Sequence, residues 1–448
     1  SSFMWLNKMS PVAMSNDGRY LVTATRGGTV RLWNAESGLE LRSFDTRSNE
    51  IYSVALSNDG KYVVTDDEYG VKLWDVESGD KLGGFGGFAG SVALSADGQL
   101  LATGGKEGTA RVWDTKSRSE LQRFPKHSSE ISSVALSQDG HYLATGERNR
   151  IARLWDVKSG RELRNFTGHT GWVTAVALSN TGRYLVTGST DRIVRLWDMQ
   201  SLRGSRDFVG HTNDINAVTF INDEQYLLTA SSDGTSRIWE VATGKELCRL
   251  ISLEGNDWAA VSPDGRFDTN NLDNLSGLHW TASDDPFTPL PLEIFMRDYY
   301  EPNLLARLLA GEKMKPVRDL KSLNRTQPQI SNLQVAAPDA DGMVTVTVEV
   351  ANQRSATQRD RNGKPFESGV HDLRLFRDGQ LVGHKEGEVE LVNGKNRIPF
   401  RVRLPRIADK QSVVFSAYAF NSDRVKSKTV RVQHKLSSTL QPVKGRAY

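Results

Sequence analysis

A single cysteine, Cys248, and eight histidines are the residues of this 448-residue chain with the longest reach into catalysis. A thiolate nucleophile needs a histidine placed to take its proton, and a metal centre needs ligands whose spacing lets them converge. Cys248 lies in ELCRL, an alternating run where a small structural side chain is the expected role. His141, His279, His371, His384 and His434 are scattered without ligand spacing, and no glycine-rich segment leads from a strand into a helix to cradle phosphate. We therefore expect no catalytic residue, no metal site and no cofactor in this chain. One cysteine forms no internal disulfide, which fits a reducing cytoplasm, the expected location, with the periplasm as the alternative if an export signal has been removed.

The other three histidines, His127, His169 and His211, recur with a period that a set of tryptophans shares. VRLWN at Trp33, VKLWD at Trp74, ARVWD at Trp113, ARLWD at Trp155, VRLWD at Trp197 and SRIWE at Trp239 are spaced by 41, 39, 42, 42 and 42 residues. A polar turn such as SNDG precedes each tryptophan by 17 or 18 residues. The same ruler runs from Ser262 to Trp280 in SPDGRFDTNNLDNLSGLHW, again 18 residues, and predicts a seventh repeat. Within a repeat, runs such as SVALS, YVVT, VKLWDV and ELRNF alternate as four antiparallel strands, with Asp-Gly and Ser-Gly pairs turning the corners.

These runs, with GHT at His169 and His211, resemble WD repeats. The resemblance implies a seven-bladed β-propeller over residues 1–282, an all-β architecture. Phe3 to Asn7 are expected to contribute to the seventh blade. The resemblance also implies a relay from histidine through threonine and aspartate to the indole, carried by His169, Thr187, Asp191 and Trp197, and by His211, Thr229, Asp233 and Trp239. In the fourth repeat His127, Thr145 and Trp155 fit, but Asn149 replaces the aspartate, and blades one to three are expected to rely on packing alone.

After residue 282 the period is lost. PLEIFMRDYYEPNLLARLLAGEKM spaces its apolar residues helically, with Pro302 dividing two short helices and Gly311 near the end of the second, so residues 283–328 are expected to form a helical linker or brace under the propeller. From residue 329 to 434 the period becomes two, and MVTVTVEV, LRLFRDGQLVG, VELVNGKNRIPFRVRL and VVFSAYAF read as an immunoglobulin-like β-sandwich without its disulfide. Residues 435–448 are a polar tail.

The order of parts resembles bacterial proteins of the caspase-like peptidase family, in which WD repeats precede phrases like NDWAAVSPDGRFD, YYEPNLLARLLAGE, LRLFRDGQLVG and AFNSDRVKS. A phrase like KGRAY then introduces the peptidase domain, so the resemblance implies that this chain stops at the threshold of the catalytic part. Neither the His-Gly nor the Cys-His-Ser-Gly type of signature of that family is present. A cut near Lys444 to Tyr448 would leave the fragment as a regulatory subunit of the peptidase.

Binding is the remaining role. No apolar run approaches bilayer length, and no membrane span is expected. Residues 1–320 hold 35 Lys and Arg against 42 Asp and Glu, a net of −7, whereas residues 321–448 hold 22 against 12, a net of +10. The acidic balance of the larger part argues against nucleic acid, and the opposed signs suit docking on an acidic partner or between the parts. Loops on a rigid scaffold collect recognition residues, and the ruler picks out Arg26 with Arg148, Arg150 with Arg192, and Trp172 after GHTG, with Tyr69 and Phe88 beside them. The expected function is a non-catalytic scaffold that recognises a protein partner or substrate and positions or regulates a caspase-like peptidase domain. The competing expectation is a structural subunit that assembles oligomers.

Overall fold

The computed structural model describes residues 11–436, apart from 16, 17, 26, 88, 125, 126, 202, 203, 273, 274, 276, 283, 284, 340 and 406–410. Its Cα framework divides into two compact units, Ser1–Ile251 and Ser252–Tyr448. Among the described residues nearly all regular structure is β.

The first unit repeats one module six times. Four antiparallel strands in chain order occupy residues 12–45, 51–85, 91–123, 131–166, 173–209 and 215–252. The polar turn is built the same way in the second, third and fourth modules. In the second module Ser57 Oγ donates to Asp59 at 2.7 Å and accepts from the Tyr62 N–H at 3.0 Å. Gly60 takes the φ of 70° that closes the corner, a conformation that costs glycine no Cβ clash. The register that follows sets Thr23, Thr65, Thr103, Thr145, Thr187 and Thr229 opposite Arg31, Lys72, Arg111, Arg153, Arg195 and Arg237.

The core lies between successive modules. In the first five modules a phenylalanine at or next to the end of the fourth strand meets the next module's tryptophan: Phe44 and Trp74 at 5.6 Å between ring centroids, Phe85 and Trp113 at 5.9 Å, Phe124 and Trp155 at 5.6 Å, Phe166 and Trp197 at 5.3 Å, Phe208 and Trp239 at 5.8 Å. Tilted and edge-on pairs of this kind add about 0.5–1.5 kcal/mol each beyond area burial. Five apolar clusters string the six modules together, and Cys248 sits fully buried at the end of the series.

Among the described residues, the seventh repeat expected from the ruler does not form a separate four-stranded sheet. Residues Trp258–Val261 and Phe267–Thr269 make one hairpin, and His279–Ala282 with Asp285–Pro291 make another. Trp280 packs on Phe267, Phe295 and Tyr299 at 6.0, 5.6 and 5.1 Å, in the core of the second unit. Its indole donates to the Leu292 carbonyl at 3.3 Å instead of to a threonine. The proposed contribution of Phe3 to Asn7 falls outside the described residues.

The second unit joins this aromatic core to two packed sheets. The expected linker helices are shorter than the apolar pattern implied, Met296–Tyr299 and Leu304–Leu309. Pro302 interrupts them, Asn303 turns with a φ of 60°, and Gly311 ends the second with a φ of 72°. One sheet holds Gln329–Val335, Met343–Ala351 and Lys395–Arg403; the other holds Gln380–Glu388, His371–Arg377, Ser412–Phe420 and Val430–Lys435. Inward residues of both sheets, Val344, Val346, Val348, Leu373, Leu375, Val413 and Phe415 among them, share one core. This is the geometry of a sandwich, in which alternate residues of each strand face inward.

Candidate functional site

The loops that bear on recognition stand on buried polar relays. In the fifth module Trp197 Nε1 donates to Thr187 Oγ1 at 3.0 Å, and His169 lies with Nε2 2.7 Å from that hydroxyl and Nδ1 2.8 Å from Asp191. One neutral tautomer satisfies every group: the indole donates to threonine, the hydroxyl donates to Nε2, and Nδ1–H donates to the carboxylate. The sixth module repeats this with Trp239, Thr229, His211 and Asp233 at 2.9, 2.8 and 2.9 Å. Asp191 and Asp233 also accept the N–H groups of Thr170 and Thr212, tying the loop entering each module to the turn between its second and third strands.

The other modules keep part of the relay, contrary to the expectation that the first three rely on packing alone. Trp33, Trp74 and Trp113 donate to Thr23, Thr65 and Thr103 at 2.8, 3.0 and 3.0 Å, because the strand register puts each threonine beside the indole. In the second module buried Lys72, at the position Arg153 holds in the fourth, bonds Asp67 at 2.5 Å and the Thr46 carbonyl at 2.9 Å. In the fourth, the carboxylate partner of His127 is Glu147, at 2.8 Å from Nδ1, and Arg153 pairs with the same carboxylate. Asn149 donates to that glutamate at 2.9 Å. The carboxylate thus comes from Glu147, two residues before the expected position 149, where an acidic residue in the otherwise apolar and small run YLATGE is its signal in the sequence.

These relays predict a loss of stability in acid. Burial opposes ionisation of Asp191, but the His169 hydrogen bond and the loop N–H groups outweigh it and lower its pKa to about 2. Asp233 is lowered further, its burial outweighed by bonds from Thr235, Thr212 and His211. Burial lowers the pKa of His211 below 6.5, partly offset by Asp233. All three groups bind protons more readily in the unfolded chain, so their stabilisation is full above about pH 6.5 and declines as pH falls. Thermal melts from pH 8 to pH 3 should show a first decline below 6.5, from His211, and a steeper one below about 4, with Asp191 alone forfeiting roughly 1 kcal/mol by about pH 3. A midpoint flat from pH 7 to 3 would contradict the relay.

Above the relays, the structure brings together some of the expected recognition residues. The Arg148 guanidinium lies 4.9 Å over the Trp172 ring and pairs with Glu130 at 3.0 Å. Trp172 remains 49% exposed, with its N–H held by Thr190 Oγ1 at 2.9 Å. Arg150 and Arg192, in the turns flanking this contact, are exposed. Tyr69 is 69% exposed but stands apart, over Lys72 and beside Glu68 in the second module. Arg26 and Phe88 lie outside the described residues. The arrangement presents cations and an aromatic face; among the described residues no group of His, Cys, Asp and Glu is placed to hold a metal ion.

Comparison with known proteins agrees with this architecture. Residues 11–34, 38–75, 82–114, 118–156, 160–198 and 203–240 match the model described as WD domain, G-beta repeat. The chain thus carries six WD40 repeats in an all-β, propeller-like unit. The stretch around Trp280 is not among those segments. Target of rapamycin complex subunit LST8 of Bos taurus is 26% identical over 129 residues, 28% of this chain and 40% of the relative. Small ribosomal subunit protein RACK1 of Brassica napus is 28% identical over 127 residues, 23% of this chain and 38% of the relative. Autophagy-related protein 16 of Arabidopsis thaliana is 30% identical over 131 residues, 28% of this chain and 26% of the relative. The chain spans less than half the length of these curated relatives.

Proposed function

We propose that this chain is a non-catalytic protein-interaction scaffold of the cytoplasm, whose fourth and fifth repeats recognise a protein partner or substrate. The observation that carries the reading is the half-exposed Trp172 under the Arg148 guanidinium, an aromatic and arginine pair on rigidly anchored loops. Arginine and tryptophan at such positions dominate the energetics of many interfaces. The presence of WD40 repeats supports a binding role, and two of the similar proteins are named as subunits of larger assemblies. The same names favour the second reading, a structural subunit of an oligomer.

In the finer form of the proposal the scaffold positions or regulates an associated caspase-like peptidase domain of a bacterial protein, with the sandwich read as immunoglobulin-like. What supports this is the resemblance of the phrases at residues 256–268, 299–312 and 419–427 to that family, together with their packing. Asp268 accepts the Asn303 N–H at 2.8 Å, Arg266 approaches Glu301 at 3.7 Å, and Val425 joins Phe267 and Tyr299 in one core.

The test is affinity capture from extracts of the source cells, comparing the native chain with Arg148→Glu/Arg192→Glu. A stoichiometric partner should be retained by the first and fall about tenfold or more with the second. Equal recovery would remove these residues from the interface.

A further inference from the structure

Six related turns connect the second and third strands of the WD40 modules, and two of them break a local rule. Five residues before the tryptophan, the first, third and sixth repeats place Gly28, Gly108 and Gly234 at φ of 78°, 60° and 81°. The fourth and fifth place Arg150 and Arg192 at the same position, with φ of 74° and 71°. An L side chain in this left-handed region is strained, and such strain concentrates at functional positions. At Gly28 a Cβ would fall 1.9 Å from the Ser48 carbonyl oxygen, and at Gly108 2.8 Å from that of Ser129. At Gly234 no heavy atom lies within 4 Å of that Cβ position, and in the fourth and fifth repeats arginine takes the same place in the turn.

Both arginines are exposed, and among the described residues neither guanidinium has a hydrogen bond or an ion pair, while Arg148, Arg153 and Arg195 nearby are all paired with carboxylates. Contacts connect the two positions: the turn holding Arg150 continues into Arg148, Arg148 covers Trp172, and the Trp172 N–H is bonded to Thr190, two residues before Arg192. Charge follows the same division. Residues 141–200 hold nine Lys and Arg against five Asp and Glu, a net of +4, whereas residues 51–100 hold three against eight, a net of −5.

We infer that the partner segment bound here is an acidic, extended stretch of protein. Its carboxylates pair with Arg150 and Arg192 as two separated cationic contacts, while Trp172, held in place by Arg148, packs on the segment between them. Carboxylate is the complement of a free guanidinium, and the pairing is charge-assisted. Nucleic acid fits less well, because it needs a longer cationic track than two separated guanidiniums supply. The inference rests on the scaffold reading and adds the chemistry of the ligand.

The test uses the full chain and a fluorescein-labelled peptide of alternating Glu and Ser, read by anisotropy at low salt. Peptides of alternating Lys and Ser, and an oligothymidylate, serve as the other arms. Arg150→Gly/Arg192→Gly installs the residue other repeats use, so it should keep the melting midpoint or raise it while weakening the acidic peptide about tenfold. Arg150→Lys/Arg192→Lys should recover part of that loss. The inference is overturned if the glycine variant binds the acidic peptide unchanged, if the Lys peptide binds as well, or if oligothymidylate binds tighter than the acidic peptide. Absence of acidic-peptide binding while the cellular partner is still captured in an Arg148- and Arg192-dependent way would overturn the acidic chemistry alone. Loss of both would overturn the scaffold reading with it.

Discussion

Thr229→Val should lower the unfolding free energy of the WD40 unit by about 2 kcal/mol, while Thr103→Val should cost only about 1 kcal/mol. Valine nearly matches threonine in shape, so neither change opens a cavity; what differs is the number of buried polar groups left without a partner. Thr229 serves both Trp239 Nε1 at 2.9 Å and His211 Nε2 at 2.8 Å, and both rings are buried. Thr103 serves Trp113 Nε1 alone, at 3.0 Å, with no histidine above it. An unsatisfied buried group costs about 1–3 kcal/mol, so two lost partners against one sets the ratio. Urea titrations followed by tryptophan fluorescence should show the midpoint falling further for Thr229→Val, with the slope unchanged. Equal shifts for the two variants would mean that the histidine contributes nothing to the relay's stability.

Much of the first unit was legible because its repeat is encoded by local, periodic features. The tryptophans, serine turns and alternating runs predict seven four-strand modules, of which the first unit holds six, and in the fifth and sixth His169 and His211 lie against Thr187 and Thr229. The error at Trp280 has a traceable cause. Spacing was matched, but the basic residue two positions before the tryptophan, present as Arg31, Lys72, Arg111, Arg153, Arg195 and Arg237, is Leu278 there. The threonine that receives the indole is likewise displaced, with Asn270 ten residues before Trp280. Those two positions carry the hydrogen bonds of the module, and the turn-to-tryptophan distance does not. Without them the indole was free to join another core, where Phe295 and Tyr299 surround it.

The candidate site was legible by residue type but not by contact. Arg148, Arg150, Trp172 and Arg192 stood out as unusual loop residues, yet Arg148 and Trp172 are separated along the chain by two whole strands, Ala152–Asp156 and Glu162–Phe166. Their approach depends on how one module packs on the next, which the phenylalanine and tryptophan pairs determine and no local pattern states. The significance of Arg150 and Arg192 depends likewise on backbone φ, visible only once both turns are compared with their glycine counterparts. Tyr69 illustrates the converse: an exposed aromatic in a loop, but in a sector whose buried Asp66 and Asp67 serve internal bonds to Gly90 and Lys72.

Lys426→Met should destabilise the second unit by about 3–5 kcal/mol, the cost of leaving a largely buried carboxylate without its counter-ion. Lys426 is fully buried in the phrase AFNSDRVKS; its ammonium pairs with Glu293, donates to Thr429 at 2.6 Å and lies 4.6 Å from the Tyr418 ring centroid. Its backbone N–H donates to the Ile294 carbonyl at 2.7 Å, so charge and main chain together fasten the sandwich loop to the segment that carries Phe295 and Tyr299. Burying two charges is expensive, and their mutual attraction offsets the desolvation only when both are present. The double variant Lys426→Met/Glu293→Gln should therefore recover much of the loss, since a neutral amide forfeits far less on burial than an unpaired carboxylate. A double variant no more stable than Lys426→Met would show that the energy lies in the Tyr418 and Thr429 contacts. Recovery would show instead that the ion pair specifies where the sandwich loop docks, which is why a lysine is tolerated in a core otherwise built from aromatic and aliphatic side chains.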